Sequence, residues 1–89
     1  MEYEWDAAKS RANFAKHGVP FETVETFDWQ SALVLADGRR DYSEIRHVAL
    51  GEIGGRLHVL VFTVRGRRIR VISLRKANMR EIRFYEQNT

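Results

Sequence analysis

Six of the twelve residues in RGRRIRVISLRK, from Arg65 to Lys76, are arginine or lysine, and apolar residues lie between them. Guanidinium groups bind phosphate through paired hydrogen bonds and stabilise the charge that develops when a phosphoryl group reacts. Several arginines side by side repel one another unless an anion joins them. The segment therefore indicates a site for a phosphate-bearing ligand, with a solvated basic surface as the alternative.

A meander of strands is predicted to hold this segment. Four runs have the content of β-strands: ALVLA (32–36), IRHVALGEI (45–53), RLHVLVFTV (56–64) and RIRVISL (68–74). Gly54-Gly55 and Gly66-Arg67 join the last three, and two-residue connections containing glycine are typical of β-hairpins. The polar stretch 37–44 predicts a loop. We therefore expect a four-stranded antiparallel sheet.

Helices are predicted before and after the strands in the sequence. Asp6 suits the N-cap of a helix that runs to His17 and stops at Gly18. Pro20 suits the first position of a second short helix, and Asn78 suits the cap of a closing helix. The first helix is expected to bury a stripe of Trp5, Ala8, Ala12 and Ala15. The order of elements predicts an α+β fold, with two N-terminal helices and a C-terminal helix, as a single domain over residues 1–89.

The two turns predict which side chains share a face of the sheet, because side chains alternate along a strand. The predicted opposite pairs are Arg65 with Arg68, Thr63 with Arg70, and Val61 with Ile72. One end of one face then carries Glu44, Arg46, Thr63, Arg65, Arg68 and Arg70. The other end of that face carries Val48, Leu50, Val59, Val61, Ile72 and Leu74. The arginines thus converge on one patch, which is expected to hold a single carboxylate.

Composition and charge narrow the class of protein. The 89 residues include no cysteine, which excludes disulfides and a thiolate zinc site and favours a reducing, cytoplasmic setting. The acidic, helix-forming first ten residues argue against a secretory signal, and no apolar run approaches the roughly 20 residues of a membrane span. Residues 1–55 carry a net charge of −4 and residues 56–89 a net charge of +7. This asymmetry favours nucleic acid as the partner, and no metal or cofactor is expected.

Three stretches carry a resemblance over residues 3–86: EWDAAKSRANFAKHGVPFE, HVALGEIGGRLHVLVFT and RGRRIRVISLRKANMREIRFYE. The WD…K…N…KHGV spacing and RIRVISLRKA are their most specific pieces. Together they resemble BrnT, the toxin family of a bacterial type II toxin–antitoxin system. The resemblance implies a RelE-like fold and a ribonuclease that cuts RNA without a metal and arrests translation. It also implies a BrnA antitoxin, a complex with two copies of each protein, and promoter DNA binding mainly through the antitoxin.

Roles follow from what metal-free RNA cleavage requires, namely a base, charge stabilisation at the phosphate and an acid. Arg70 and Arg65 are predicted to bind the phosphate, with Arg46 beside them. Their alternative role is a surface ion-pair network with Glu44. Glu44 itself either acts as the base or orients Arg65. His17, whose protonated form the helix dipole favours, either donates a proton or contacts the phosphate, or it caps the last carbonyls of its helix.

The remaining basic candidates are expected to bind the RNA backbone: Arg68, Arg75, Lys76 and Lys16. For Arg75 and Lys76 the alternative is a solvated helix start. Trp5 and Tyr85 could stack on a base, although core packing is favoured for both, and Glu81 is expected to pair with a basic neighbour. Two alternatives to a ribonuclease stay open: a non-catalytic nucleic-acid-binding module, and an interaction domain that docks an acidic protein.

Overall fold

The computed structural model describes residues 1–37 and 45–89 of the chain. These residues form strands β1 (Glu2–Glu4), β2 (Leu33–Asp37), β3 (Arg46–Ile53), β4 (Arg56–Arg65) and β5 (Arg68–Lys76), helices α1 (Ala7–His17) and α2 (Met79–Gln87), and a 3₁₀ helix, η1 (Phe21–Thr26). The predicted α+β class is confirmed. Asp37 ends β2, and the rest of the predicted loop, including Glu44, lies outside the described residues.

The sheet has five strands in the order β1-β5-β4-β3-β2. Strands β2 to β5 form the predicted antiparallel meander, but β1 pairs with β5 in parallel, so the sheet is mixed. The expectation of four antiparallel strands preceded only by helices is therefore wrong at residues 2–4. Their alternation gives the reason, because Tyr3 joins the core while Glu2 and Glu4 take the other face of the sheet.

Both predicted hairpin turns are confirmed. Ile53 lies opposite Arg56 across Gly54-Gly55, and Arg65 lies opposite Arg68 across Gly66-Arg67. Gly54, Gly55 and Gly66 have φ values of 58°, 79° and 60°, a backbone region that glycine enters without the steric cost of a Cβ atom. Glycine therefore fixes the register at both turns.

A β-bulge in β5 overturns one part of the predicted register. Val61 lies opposite Ser73 rather than Ile72, so Ile72 is an extra residue between two paired positions. Beyond the bulge the faces of β5 are exchanged. Leu74, predicted on the same face as the arginines, lies opposite Leu60 and is fully buried in the core, while Arg75 lies opposite Val59 on the arginine-bearing face.

Each face of the sheet has its own apolar cluster. On the first, here called the η1 face, Val19, Phe21, Val24 and Phe27 pack against Ala49, Leu60, Phe62, Ile69, Val71 and Leu74. On the second, the α2 face, Ile82 and Tyr85 pack against Leu50, Leu57, Val59 and Ala77. Helix α2 covers only one end of its face, which leaves the arginine-bearing end beside it.

The helix ends follow their predicted caps with one change. The Asp6 carboxylate accepts hydrogen bonds from the backbone of Ala8 and Lys9, and Gly18 ends α1 at a φ of 72°. Asn78 and Glu81 form a capping box at the start of α2. Pro20 is the N-cap of η1 rather than its first helical residue.

Candidate functional site

The arginines gather at one end of the α2 face, as the turns predict. Arg65 lies opposite Arg68, and Thr63 lies opposite Arg70. Val48 lies opposite Val61, which places Arg46, two residues along β3, on the same face. Thr63 is only 3% exposed, and its hydroxyl has no hydrogen-bond partner within residues 1–37 and 45–89. The patch therefore surrounds a buried hydroxyl at its centre.

Strand β1 brings two carboxylates to this patch, so the prediction of a single carboxylate is wrong. Arg70 donates to Glu4 at 2.8 Å, and Arg68 donates to Glu2 at 3.2 Å. The Arg70 side chain is 28% exposed, whereas that of Arg68 is 59% exposed. Glu4 therefore holds the Arg70 guanidinium, which carries five N–H donors, in one place. The alternating sequence Glu2–Tyr3–Glu4 is the signal from which β1 could have been found.

Helix α1 is attached to the sheet by an asparagine rather than by the predicted stripe. Ala8, Ala12 and Ala15 are exposed, and Asn13 is the buried residue of the helix. The Asn13 side chain donates to the carbonyls of Leu74 at 2.8 Å and Val19 at 3.1 Å, and it accepts from the Leu74 N–H at 3.2 Å. It thus bonds the backbone N–H and carbonyl of Leu74 on the outer edge of β5, beyond the point where β1 ends. Packing patterns do not reveal such a residue, because its partner in the sheet, Leu74, is 61 positions away.

A cleft of about 260 Å³ lies between α1 and the bulge of β5. Its lining residues are Lys9, Ala12, Asn13, Lys16, His17, Ile72 and Ser73. Lys9, Lys16 and His17 lie on the side of α1 that carries Asn13, because each is three or four residues from Asn13 and such residues share a helix face. We call these three residues, with Arg70 and Arg75, the cationic cleft. Lys9 was not among the predicted site residues.

Arg70 and Arg75 influence the pKa values of residues at opposite ends of α1. The backbone N–H groups of Lys9 and Ala8 lower the pKa of the Asp6 carboxyl, and the charges of Arg70 and Lys9 lower it further. At the other end of the helix, Arg75 acts on His17. The cationic cleft therefore extends along α1 from Arg70 to Arg75.

The pKa of His17 is lowered, contrary to the expectation that the helix dipole favours its protonated form. Burial is the largest cause, followed by the charges of Lys16 and Arg75. A neutral imidazole has a nitrogen lone pair that can accept a proton, so His17 suits the role of a base better than that of an acid.

Arg75 is held at its end of the cleft by Glu81, which confirms that Glu81 pairs with a basic neighbour. Two parallel bonds join their side chains at 2.8 and 2.7 Å. The bond to Glu81 raises the pKa of Arg75, and the bond to Arg75 lowers the pKa of Glu81. Lys76 lies opposite His58 on the η1 face, away from Arg75. The structure therefore separates these two neighbours, which the sequence predicts to act together.

The aromatic candidates and the remaining histidines have structural surroundings. Trp5 packs edge-to-face on Phe21, and the Tyr85 hydroxyl donates to the Ser31 carbonyl at 2.8 Å. The His47 ring stacks on Phe62 on the η1 face, and His58 is buried. Core packing, the favoured interpretation for Trp5 and Tyr85, agrees with these contacts.

The described part of the chain contains neither a cluster of side chains suited to a metal ion nor a helix suited to span a membrane. Residues 1–37 and 45–89 contain no group of three or more histidine, aspartate or glutamate side chains that could hold a metal ion. No helix in those ranges is both long enough and apolar enough to cross a membrane.

Comparison with known proteins assigns the family. A family model described as the ribonuclease toxin BrnT of type II toxin–antitoxin systems matches residues 5–81 of the 89. The matched range includes all five residues of the cationic cleft, and it begins just after Glu4. No curated protein matches the chain. Because the match covers most of the sequence, the chain belongs to the BrnT family of ribonuclease toxins, whose members act in toxin–antitoxin pairs.

Proposed function

We propose that this chain is an endoribonuclease that cleaves RNA in the cationic cleft without a metal ion. The observation that supports the proposal is the arrangement of two lysines and one histidine of lowered pKa along α1, with a fixed guanidinium towards each end. Such a set supplies a base, a charge stabiliser and an acid within one concave site. The cations supply the charge stabilisation that a metal ion would otherwise provide.

The proposed reaction is attack of a ribose 2′-hydroxyl on the adjacent phosphate. His17 takes the hydroxyl proton, the 2′-oxygen forms a bond to phosphorus, and the bond from phosphorus to the 5′-oxygen breaks. The departing oxygen takes a proton from the ammonium group of Lys16, the neighbour of His17, while Arg75, which lies at the same end of α1, stabilises the charge on the phosphate oxygens. The products are a 2′,3′-cyclic phosphate and a 5′-hydroxyl end.

Other predicted residues take supporting roles in this proposal. Arg46, Arg65, Arg68 and Arg70 extend the basic face and bind flanking phosphates, and Glu44 orients Arg65. Cleavage of cellular RNA in the cytoplasm would arrest translation. A BrnA-type antitoxin would neutralise the chain in a complex with two copies of each protein, which would bind promoter DNA through the antitoxin.

The first test compares wild type with Arg75→Ala on total RNA in excess EDTA, using protein freed of any co-purifying partner. Removing one donor to a developing oxyanion costs about 100- to 1,000-fold in rate, so the variant is expected to lose at least 100-fold. Arg11→Ala is the matched control, because Arg11 is an exposed arginine of α1 outside the cleft lining, and it should keep wild-type activity. Circular dichroism would establish that all three proteins are folded.

Two results would contradict the proposal. If EDTA abolishes cleavage, the proposal that no metal ion takes part would be wrong. Absence of cleavage by folded wild type, with or without ribosomes, would remove the enzyme assignment. Salt-dependent RNA binding in that case would favour the non-catalytic binding module.

A further inference from the structure

An apolar groove lies on the α2 face between the edge strand β2, strand β3 and helix α2. Its volume is about 290 Å³, and its lining consists of Leu35, Val48, Leu50, Arg80, Glu81 and Phe84. Its surface is almost entirely apolar. Leu35 and Phe84 remain 38% and 42% exposed. Exposed apolar residues are ordinary when scattered, but several that line one depression mark a binding surface.

The groove does not suit a nucleic acid. RNA is held mainly through its phosphates, which need N–H donors and positive charge. Arg80 is the basic residue of the lining, and the Glu81 carboxylate is already occupied by Arg75 and the Asn78 N–H. Apolar side chains of a protein segment, in contrast, are the usual occupants of such a groove. The occupant is therefore a polypeptide.

The groove is continuous with the arginine-bearing end of the same face. Leu35 lies opposite Val48, and Val48 lies opposite Val61, so these residues form one row across the sheet. The next row contains Arg46, two residues along β3 from Val48, and Arg70, which lies opposite Thr63; two residues along a strand span about 7 Å. A segment that leaves the groove in this direction passes over guanidinium groups. Charge complementarity therefore requires acidic residues next to its apolar anchors.

We propose that this groove is the docking site of the antitoxin, which inserts apolar side chains beside Leu35 and Phe84 and places adjacent carboxylates over Arg46 and Arg70. The inference rests on the proposed function, in which these arginines bind phosphate. The antitoxin then neutralises the toxin by occupying the phosphate positions with its own carboxylates while the groove anchors it.

The test measures the affinity of toxin variants for the purified cognate BrnA-type antitoxin by isothermal titration calorimetry. Leu35→Glu places a charge in the groove, and Val34→Glu is the matched control. Val34 is the adjacent residue of the same strand, 48% exposed, and lies on the opposite face of the sheet. Leu35→Glu is expected to weaken binding at least 30-fold, or about 2 kcal/mol. Val34→Glu should stay within threefold of wild type.

A second variant guards against a folding defect. Phe84→Ala removes an apolar anchor from the exposed side of α2 without adding charge, and it is expected to weaken binding about tenfold with an unchanged melting temperature. If Leu35→Glu and Val34→Glu weaken antitoxin binding equally, the proposal would be wrong, and the antitoxin would bind the edge of β2 rather than the groove. Unchanged affinity in both groove variants would overturn it as well. Loss of self-association in Leu35→Glu, with antitoxin affinity retained, would identify a second copy of the chain as the occupant.

Calorimetry does not depend on RNA cleavage, so the two proposals fail separately. Wild type that binds the antitoxin through the groove but cleaves no RNA would contradict the proposed function alone. If wild type cleaves RNA and both groove variants bind the antitoxin as tightly as wild type does, the docking site alone would be contradicted. Wild type that does not bind this protein at all would contradict the assignment of the partner.

Discussion

His17 is the residue whose chemistry differs most between sequence and structure. Its place at the end of a helix predicts a stabilised charge, whereas burial and two neighbouring cations lower its pKa. The neutral form therefore extends to lower pH than for an ordinary histidine, whose pKa is about 6.5. This difference turns the predicted acid into the proposed base.

The pH dependence of cleavage tests this role. A base must be deprotonated, so activity is expected to rise with pH through the lowered pKa of His17, with the rising limb below pH 6.5. Lys16→Met removes one of the charges that lower this pKa, so the limb should move to higher pH. Lys9→Met is the matched control, because Lys9 is not among the causes of the shift, and its limb should keep its position. A limb that does not move in Lys16→Met would assign the titration to another group.

Single residues were predictable where their type alone defines the chemistry. The arginines of β5 indicate an anion site by their type and number alone, and the structure gathers Arg65, Arg68 and Arg70 as the turns predict. Glu4 and Lys9 were not predicted, because a glutamate or a lysine acquires a role only through its neighbours. Those neighbours are set by the pairing of β1 and the position of α1, which no local pattern contains.

At the scale of elements, α1 depends on Asn13. The three hydrogen bonds of this side chain satisfy both backbone groups of Leu74 and the carbonyl of Val19. Leu74 is fully buried, so its backbone groups would lose their partners without gaining water. Each buried polar group left without a partner costs about 1–3 kcal/mol.

Asn13→Ala is therefore expected to lower the free energy of unfolding by about 3 kcal/mol, measured by urea denaturation. The matched control is Asn88→Ala, since Asn88 makes an exposed hydrogen bond at the end of α2 and should cost under about 0.5 kcal/mol. A loss below about 1 kcal/mol in Asn13→Ala would show that other contacts hold α1 to β5.

The elements themselves were predictable to different degrees. Gly54-Gly55 and Gly66-Arg67 fixed both hairpins, because the positive φ of a tight turn has a residue signature. The bulge at Ile72 has no such signature, since isoleucine suits a regular strand equally well. It is decided by the burial of Leu74 on one face and the pairing of Arg75 with Glu81 on the other.

For the whole molecule, the separation of charge along the sequence becomes a separation in space only in part. The basic C-terminal part supplies most of the arginines, but α1 of the acidic N-terminal part supplies Lys9, Lys16 and His17 to the cleft. The acidic part also contributes Glu2 and Glu4, which neutralise some of the arginine charge. Net charge alone therefore favours an anionic ligand but does not indicate which residues come together in space.

The salt dependence of RNA affinity measures how many phosphate contacts the cationic cleft makes. In the inactive variant His17→Ala, the logarithm of affinity for single-stranded RNA should fall with the logarithm of salt concentration. The expected slope is about −0.7 for each phosphate contact, or about −2 for three contacts by Lys9, Lys16 and Arg70. Adding Lys16→Met should reduce the slope by about 0.7, and adding Arg11→Met should leave it unchanged. An equal change in both would indicate a diffuse basic surface rather than the cationic cleft.

The two sides of the cleft are far apart in the sequence, so the ribosome synthesises them at different times. Asn13 and Leu74 are 61 residues apart, so α1 has no strand to bind until β5 has been synthesised. At about 5–20 residues per second, the ribosome needs roughly 3–12 seconds to advance from one to the other. A nascent chain, or one truncated before Leu74, therefore contains half of the cleft and is expected to be harmless to the ribosome that is making it.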